Sequence, residues 1–522
     1  MRILLCILSV ILWIPSVRAQ QTRTVDICIY GSSSGGIIAA YTASRMGKKV
    51  LLVTPDRHPG GITSGGLGNT DIGNKSAITG LARDFYHRVG KHYDKSEQWV
   101  FEPHVAEEIF REYLLAGKVE VWYASRLLSV IKNNRVIQEI KTESADHPDP
   151  STNRIVRATV FIDCSYEGDL MARAGVSFTV GRESNALYNE TYNGVQLRDK
   201  HQFPDGVDPY VVPGEPGSGL LWGIRDDQPA PDGTGDKEIQ AYNFRICLTD
   251  RIDNRIVITR PSGYDSGWYA LLIRYLDKKE PASLEDGVLN INPMPGNKTD
   301  INNNGPFSTD MIGMNYAYPE ADAKGRKEIL RMHELYTKGL LYFLGHDERV
   351  AAHLRSEMLR WGYPKDEYQD NGNWSTQLYV REARRMIGEY VMIQANCTGA
   401  VKVSDGIGLA AYTMDSHNCE RLVVNGMVKN EGDVQVGGFP PYPVSYRSIV
   451  PKANECGNLL VPVCLSASHI AYGSIRMEPV FMVLGQSAAV AAVLAVDLHL
   501  AVQQVQVSRI QEILQKNPLA EN

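Results

Sequence analysis

The C-terminal part of the chain gathers the side chains best suited to moving protons and holding oxygen-rich molecules. His469, Arg476 and Glu478 fall within one short run that ends at Pro479, and Asp415 and His417 stand two residues apart upstream. An imidazole that titrates near neutrality readily takes a hydroxyl proton. A guanidinium offers a fixed fork of donors to neighbouring oxygens. His469 and Arg476 are therefore the first candidates for taking a proton from, and orienting, an oxygen-rich substrate. Asp415 and His417 are the second pair. The same residues also admit a structural role, with His469 capping a buried loop and Arg476 paired to Glu478.

A second group lies near the other end of the chain. Gly31-Ser32-Ser33-Ser34-Gly35-Gly36 follows the β-branched run Val25 to Tyr30 and precedes the small-residue run Ile37 to Ala43. Strand, tight glycine turn and helix is the context in which such a turn cradles a dinucleotide pyrophosphate. Gly31 permits the turn, Gly36 lets the helix lie close to the strand, and the helix N-terminus presents free N–H groups. Ser33 stands where a second glycine is usual. The next strand, Lys49 to Val53, ends at Thr54, where an acidic residue usually accepts the ribose hydroxyls. Gly60, Gly61, Gly65 and Gly66, with Leu67 beside them, suggest backbone running close to a flat ligand.

These groups need a framework to hold them. Val119 to Tyr123, Leu127 to Lys132, Val136 to Thr142 and Ile155 to Asp163 read as consecutive strands, with Asn133-Asn134 as a turn. Pro and Gly rise between Pro204 and Gly235, and Glu320 to Leu359 carries apolar residues at three- and four-residue intervals, as a helix does. The clusters Asn297 to Asp300 with Asn302 to Asn304, and Arg381 to Arg385, read either as a ligand-binding wall or as solvated loops or a salt-bridged helix face, the latter favoured for Glu382 and Arg385. Near the end, Asn458 to Cys464 is an apolar strand. A loop follows from Ser466, and a helix rich in small residues opens at Pro479, where a missing N–H is harmless.

The chain has 522 residues, too many for one simple core. A hydrophobic content of 43% and a charged content of 22% suit a globular protein. A net charge of −6 without basic runs argues against nucleic acid as a partner. Arg2, the apolar stretch Ile3 to Ile14 and Val17-Arg18-Ala19 read as a cleaved export signal over residues 1–19. No later apolar stretch reads as long enough for a transmembrane helix, and no stable membrane insertion is expected. The cysteines show no metal-type spacing, and no metal is expected.

The carrying segments are Gly31 to Gly36, Gly60-Gly61, Gly65-Gly66-Leu67, Tyr166 to Asp169, Tyr379 to Arg385, Tyr412 to His417, Asn458 to Cys464, and Ser466 to His469 through Glu478-Pro479. Together they resemble the bacterial FAD-dependent oxidoreductase family with glutathione-reductase-type topology, often found beside carbohydrate-degrading enzymes. The resemblance covers nearly the whole mature chain. It implies an α/β fold whose Rossmann-like FAD-binding domain is formed from both chain ends, 24–175 and 393–522. A large α+β substrate domain, 176–392, is inserted between them. It implies bound FAD, held by Gly31, Ser33, Ser34, Gly35, Gly36, Thr54, Gly60, Gly61, Gly65, Gly66, Leu67, Asp163, Glu478 and Pro479. The function expected is an exported, periplasmic or otherwise extracytoplasmic dehydrogenase oxidising an alcohol carbon of a small or oligomeric sugar, its electron acceptor unknown. The rival readings are a flavin oxidase or reductase of a non-sugar metabolite and a carbohydrate lyase.

Overall fold

The computed structural model describes residues 21–521, so the expected signal at Met1 to Ala19 lies outside the described residues. Strand β1 (Gln21–Tyr30) leads through the glycine turn into α1 (Ser34–Arg45) and β2 (Val50–Val53). Helices α2 (Gly80–His92) and α3 (Pro103–Ala116) follow. Then come β3 (Glu120–Trp122), β4 (Ser125–Asn133), β5 (Val136–Ser144) and β6 (Arg154–Asp163). The strands read between 119 and 163 are therefore all present.

The inserted segment forms a separate sheet from β7 (Ile246–Thr249), β8 (Arg255–Val257), β9 (Leu289–Met294), β10 (Lys298–Asn303) and β11 (Gly362–Pro364), with helices α4 (Ala270–Lys279) and α5 (Ala323–His346) against it. Its order is β9-β10-β7-β11-β8. The three- and four-residue periodicity noted from 320 onward is α5 and a shorter helix, Ala352–Met358. The chain then returns through β12 (Met414–Ser416) and β13 (Leu459–Leu460) to α6 (His469–Ile475) and α7 (Glu478–Leu498).

The main sheet has seven strands, ordered β3-β2-β1-β6-β5-β4, with β13 also on β6. Strand β6 lies parallel to β1 along its length. On its other edge β5 pairs antiparallel with its first residues and β13 pairs parallel with Phe161 and Ile162. The C-terminal strand thus enters the sheet beside the strand that ends at Asp163.

Alternation along the strands divides the core into two faces. Ile27, Ile29, Leu52, Val160 and Ile162 meet the helices, while Cys28, Tyr30, Leu51, Val53 and Phe161 meet the β4–β5 side. A further apolar cluster belongs to the inserted segment, where Ile246, Leu248, Leu271, Tyr336, Leu340 and Phe343 pack together. Cys28 and Cys164 are buried and unpaired, behaving as small apolar residues.

The expectation that no later apolar stretch is long enough to span a membrane does not hold for α7. By length and composition α7 is apolar enough to cross a bilayer, yet 94% of its apolar window is buried inside the protein. It is the central core helix, packed against α1 and α2. Gly485 has no side chain because a Cβ there would run into the Gly35 carbonyl oxygen of α1.

Candidate active site

The turn after β1 is closed by backbone crossing backbone. Gly31 has φ +97°, and a Cβ on it would lie 2.5 Å from the Ser165 nitrogen, in the segment leaving β6. Its N–H donates to the Val53 carbonyl at 2.8 Å, tying the turn to β2. A Cβ on Gly36 would meet the Gly31 carbonyl oxygen, as close helix–strand packing requires. Ser33 caps α1: its hydroxyl accepts from Gly36 N at 3.3 Å and donates to the Cys164 carbonyl at 2.7 Å. A hydroxyl thus does here what a second glycine leaves to solvent or ligand. Gly35 serves a different purpose, giving α7 room near Phe481.

Glu478 and Pro479 open α7 beside this turn. The Glu478 carboxylate is buried and accepts from Ser34 Oγ at 2.5 Å, Thr63 Oγ1 at 2.7 Å and the Tyr166 hydroxyl at 2.7 Å. Burial pushes its pKa above the usual carboxylate range despite these donors. The pairing of Glu478 with Arg476 entertained from the sequence does not occur: Glu478 takes hydroxyl donors and Arg476 turns to other partners. Three chain segments therefore converge on one acid at the head of two helices.

The later glycines have protein neighbours. Gly60 packs on Phe110, Gly61 under the Tyr166 hydroxyl, Gly65 on Gln377 and Gly66 on the Arg245 carbonyl, while Leu67 is buried beside Ile62 and Tyr379. The loop is glycine-rich because it is clamped between α3 and the inserted segment. Asp163 is likewise engaged, accepting from Ser165 N at 3.0 Å, Ser165 Oγ at 2.6 Å and Met171 N at 2.8 Å. Burial lifts its pKa to about 6, with those hydrogen bonds opposing.

At the end of β2, Thr54 Oγ1 lies 2.9 Å from Ser32 Oγ and donates to Asp56 at 3.0 Å. Sequence reasoning looked for an acid at Thr54 and missed Asp56, two residues on. Its carboxyl is raised by burial, with Thr54, His58 and Ser32 opposing. The donor set fits a dinucleotide. The first-turn N–H groups of α1 lack intrahelical acceptors and suit a pyrophosphate, and the Asp56 carboxylate could accept from ribose hydroxyls.

A second polar cluster adjoins the start of α7. Arg476 donates to the Tyr379 hydroxyl at 3.0 Å, Gln240 Oε1 at 3.2 Å and Asp415 Oδ2 at 2.9 Å, leaving its buried Nε without a partner among the described residues. His417 lies 3.7 Å from Asp415 through Nε2 and 2.6 Å from Asp310 through Nδ1. Tyr412 donates to Asp71 at 3.3 Å, both partly exposed. The structure thus brings Arg476, Asp415 and His417 together.

His469 stands one layer deeper. The stretch read as a loop is helix α6, started by Ser468, whose hydroxyl accepts from Ala471 N at 3.3 Å. His469 is 2% exposed, with Nδ1 2.7 Å from Glu382 and Nε2 3.1 Å from Ser416 Oγ. Burial, with Arg385 and Arg182 nearby, pushes its pKa down to about 3, so it stays neutral. Arg381 to Arg385 is neither a solvated loop nor a helix face. Arg381, Glu382 and Arg385 are almost fully buried; Arg381 pairs with Asp310, and Arg385 with Glu183 and Glu382.

Among the described residues one acidic–histidine group has metal-like spacing: Glu102, His104 and Glu367. The Lys298 ammonium lies among these carboxylates, 2.8 Å from Glu102 and 2.7 Å from Glu367. A lysine therefore supplies the cation there.

A family model described as FAD dependent oxidoreductase matches residues 26–514. No functionally curated protein matches the chain. Among solved structures, the chain is similar to OxyS anhydrotetracycline hydroxylase from Streptomyces rimosus at 13% identity, over 34% of this chain and 36% of that one, with a TM-score of 0.24. It is similar to a geranylgeranyl bacteriochlorophyll reductase-like protein from Thermoplasma acidophilum at 19% identity, over 30% and 43%, with a TM-score of 0.21. For a 3-ketosteroid dehydrogenase from Rhodococcus jostii the values are 12%, 31%, 50% and 0.21. The match spans half or less of each of these three structures.

Proposed function

Since the chain belongs to the FAD dependent oxidoreductase family, matched over residues 26–514, we propose that it oxidises an alcohol carbon of a neutral sugar or sugar derivative. Bound FAD supplies the two-electron acceptor; the protein supplies orientation, a proton acceptor and electrostatics. Residues at the head of α1 and Asp56 hold the cofactor, and the cluster beside Arg476 holds the substrate.

One observation carries the choice of substrate: the charges of the second cluster cancel in pairs. Arg476 faces Asp415, Arg381 faces Asp310 and Arg245 faces Asp300. Asp71, 28% exposed, accepts from Tyr412 beside them. Among the described residues no guanidinium there lacks a counter-ion, so an acidic substrate would meet no unpaired cation. A neutral polyol instead meets a hydroxyl and carboxylate acceptors, which are partners its hydroxyls need.

The test is an anaerobic screen that follows bleaching of the flavin by neutral sugars, sugar alcohols, uronic acids and apolar alcohols. Neutral sugars should reduce it fastest. Reduction by acidic or apolar compounds alone would remove the polyol reading. Export is part of the same proposal and rests on Arg2, Ile3 to Ile14 and Val17-Arg18-Ala19. Cell fractionation with N-terminal sequencing decides it, and a cytoplasmic protein retaining Met1 to Ala19 refutes it.

A further inference from the structure

Building on the alcohol-oxidation reading, we propose that His417 Nε2 is the base that takes the substrate hydroxyl proton and that Asp310, in the inserted segment, positions it. His417 follows β12, and Asp310 follows β10 in the other sheet; the two meet at 2.6 Å through Nδ1. In a neutral ring a carboxylate at that distance holds the hydrogen on Nδ1 and leaves Nε2 as the acceptor.

Asp310 is itself fixed. Its other oxygen lies 3.0 Å from Arg381, and its N–H donates to Asn303 Oδ1 at 3.2 Å. Burial would raise its carboxyl, but Arg381 and His417 outweigh that and hold it below its usual range. The charged groups around the ring are Asp310 from the inserted segment, Asp415 on the neighbouring strand and Arg476 from the turn before α7. Arg381 and His201 face Asp310 from behind. Among the described residues Nε2 makes no hydrogen bond; it faces Asp415 Oδ2 at 3.7 Å. The His417 side chain keeps 12% of its surface exposed, whereas both ring nitrogens of His469 are occupied.

The chemistry balances. The alcohol C–H bond breaks and its electron pair leaves with the hydrogen as hydride, to the oxidant that FAD supplies. The O–H bond breaks, its proton forms an N–H bond at Nε2, and the oxygen pair closes the carbonyl. The imidazolium so formed lies between Asp310 and Asp415, two carboxylates placed to stabilise it.

The test uses holoenzyme and two readouts. In anaerobic rapid mixing, His417→Gln should slow flavin reduction by about a hundredfold or more. Asp310→Asn should slow it by at least about tenfold at saturating substrate, with flavin content retained, because it loosens the hold on the ring's tautomer. Imidazole added to His417→Gly should restore part of the rate. The second readout needs no substrate: diethyl pyrocarbonate labelling followed by peptide mass spectrometry. His417 should be labelled in the oxidised holoenzyme, more slowly in Asp310→Asn, while His469 stays unlabelled. Wild-type reduction rates in His417→Gln, or labelling of His469 with His417 resistant, overturn the assignment. Labelling as expected with no alcohol reducing the flavin leaves the His417–Asp310 pair standing and removes the alcohol-oxidation reading.

Discussion

Gly31→Ala isolates what the turn after β1 demands, and its cost can be worked from the backbone. At φ +97° an alanine carries steric strain of about 1–2 kcal/mol. Its Cβ would also lie 2.5 Å from Ser165 N, 2.6 Å from Cys164 C and 2.8 Å from Cys164 O, all backbone atoms with no side chain to swing aside. Relief by backbone movement costs a further ~1–3 kcal/mol, against only ~0.4–1 kcal/mol recovered from a stiffer unfolded chain. The net is about 3 kcal/mol, or an apparent melting shift of roughly 6–12 °C for a unit of this size. Gly47→Ala provides the control: φ is +81° there, but nothing lies within 4 Å, so it carries the dihedral strain alone. The assay is the temperature at which flavin fluorescence appears on release, which reports on this part of the molecule, together with the flavin-to-protein ratio after gel filtration. Gly31→Ala should melt well below Gly47→Ala and lose flavin. Equal melting of the two, with full flavin in both, would refute the crossing of Gly31 with Cys164–Ser165.

Three further outcomes follow from single groups. Asp56→Asn should weaken FAD retention by about tenfold or more, the worth of a hydrogen bond to a charged group, measured by equilibrium dialysis; unchanged affinity would detach Asp56 from the ribose. His469, driven down to about 3, stays neutral in the fold while the unfolded chain protonates it near its ordinary 6.5, so its contribution to stability is present above that pH and is lost as pH falls toward 3. Between pH 7 and pH 5 the wild type should therefore lose about 2 kcal/mol more than His469→Gln, and parallel melting curves against pH would contradict its neutral burial. Lys298→Met should cost about 3–5 kcal/mol by leaving Glu102 and Glu367 without their cation, while Lys298→Arg keeps most of the stability; melting that does not distinguish the two variants would show the cluster to be idle.

The first βαβ unit was legible because its signals are local: a β-branched run, a glycine turn and small residues in sequence. The α5 periodicity was legible for the same reason. What escaped was set by distant partners. Arg381 to Arg385 looked like surface because it is charged, yet its counter-ions Asp310, Glu183 and Glu382 come largely from other parts of the chain. The Ser- and Gly-rich stretch around His469 looked like loop, but the Ser468 cap and burial on all sides make it helix. Asp56 was missed because a turn of two residues separates it from the end of β2. His417 could be named from its sequence, but not ranked above His469, since its advantage depends on Asp310 reaching across from another sheet.

The hydrogen bond between Ser34 and Glu478 joins residues separated by 444 positions. At ribosomal speeds of about 5–20 residues per second, the partner of the first helix emerges on the order of a minute after it. During that interval the nascent chain carries half a nucleotide-binding fold, with the apolar side of α1 uncovered and no α7 to cover it. The inserted segment owns a separate apolar cluster and can close first. Cofactor capture is thus deferred until synthesis is nearly finished, and a message truncated anywhere before α7 yields a polypeptide for chaperones and proteases, never a partly active enzyme.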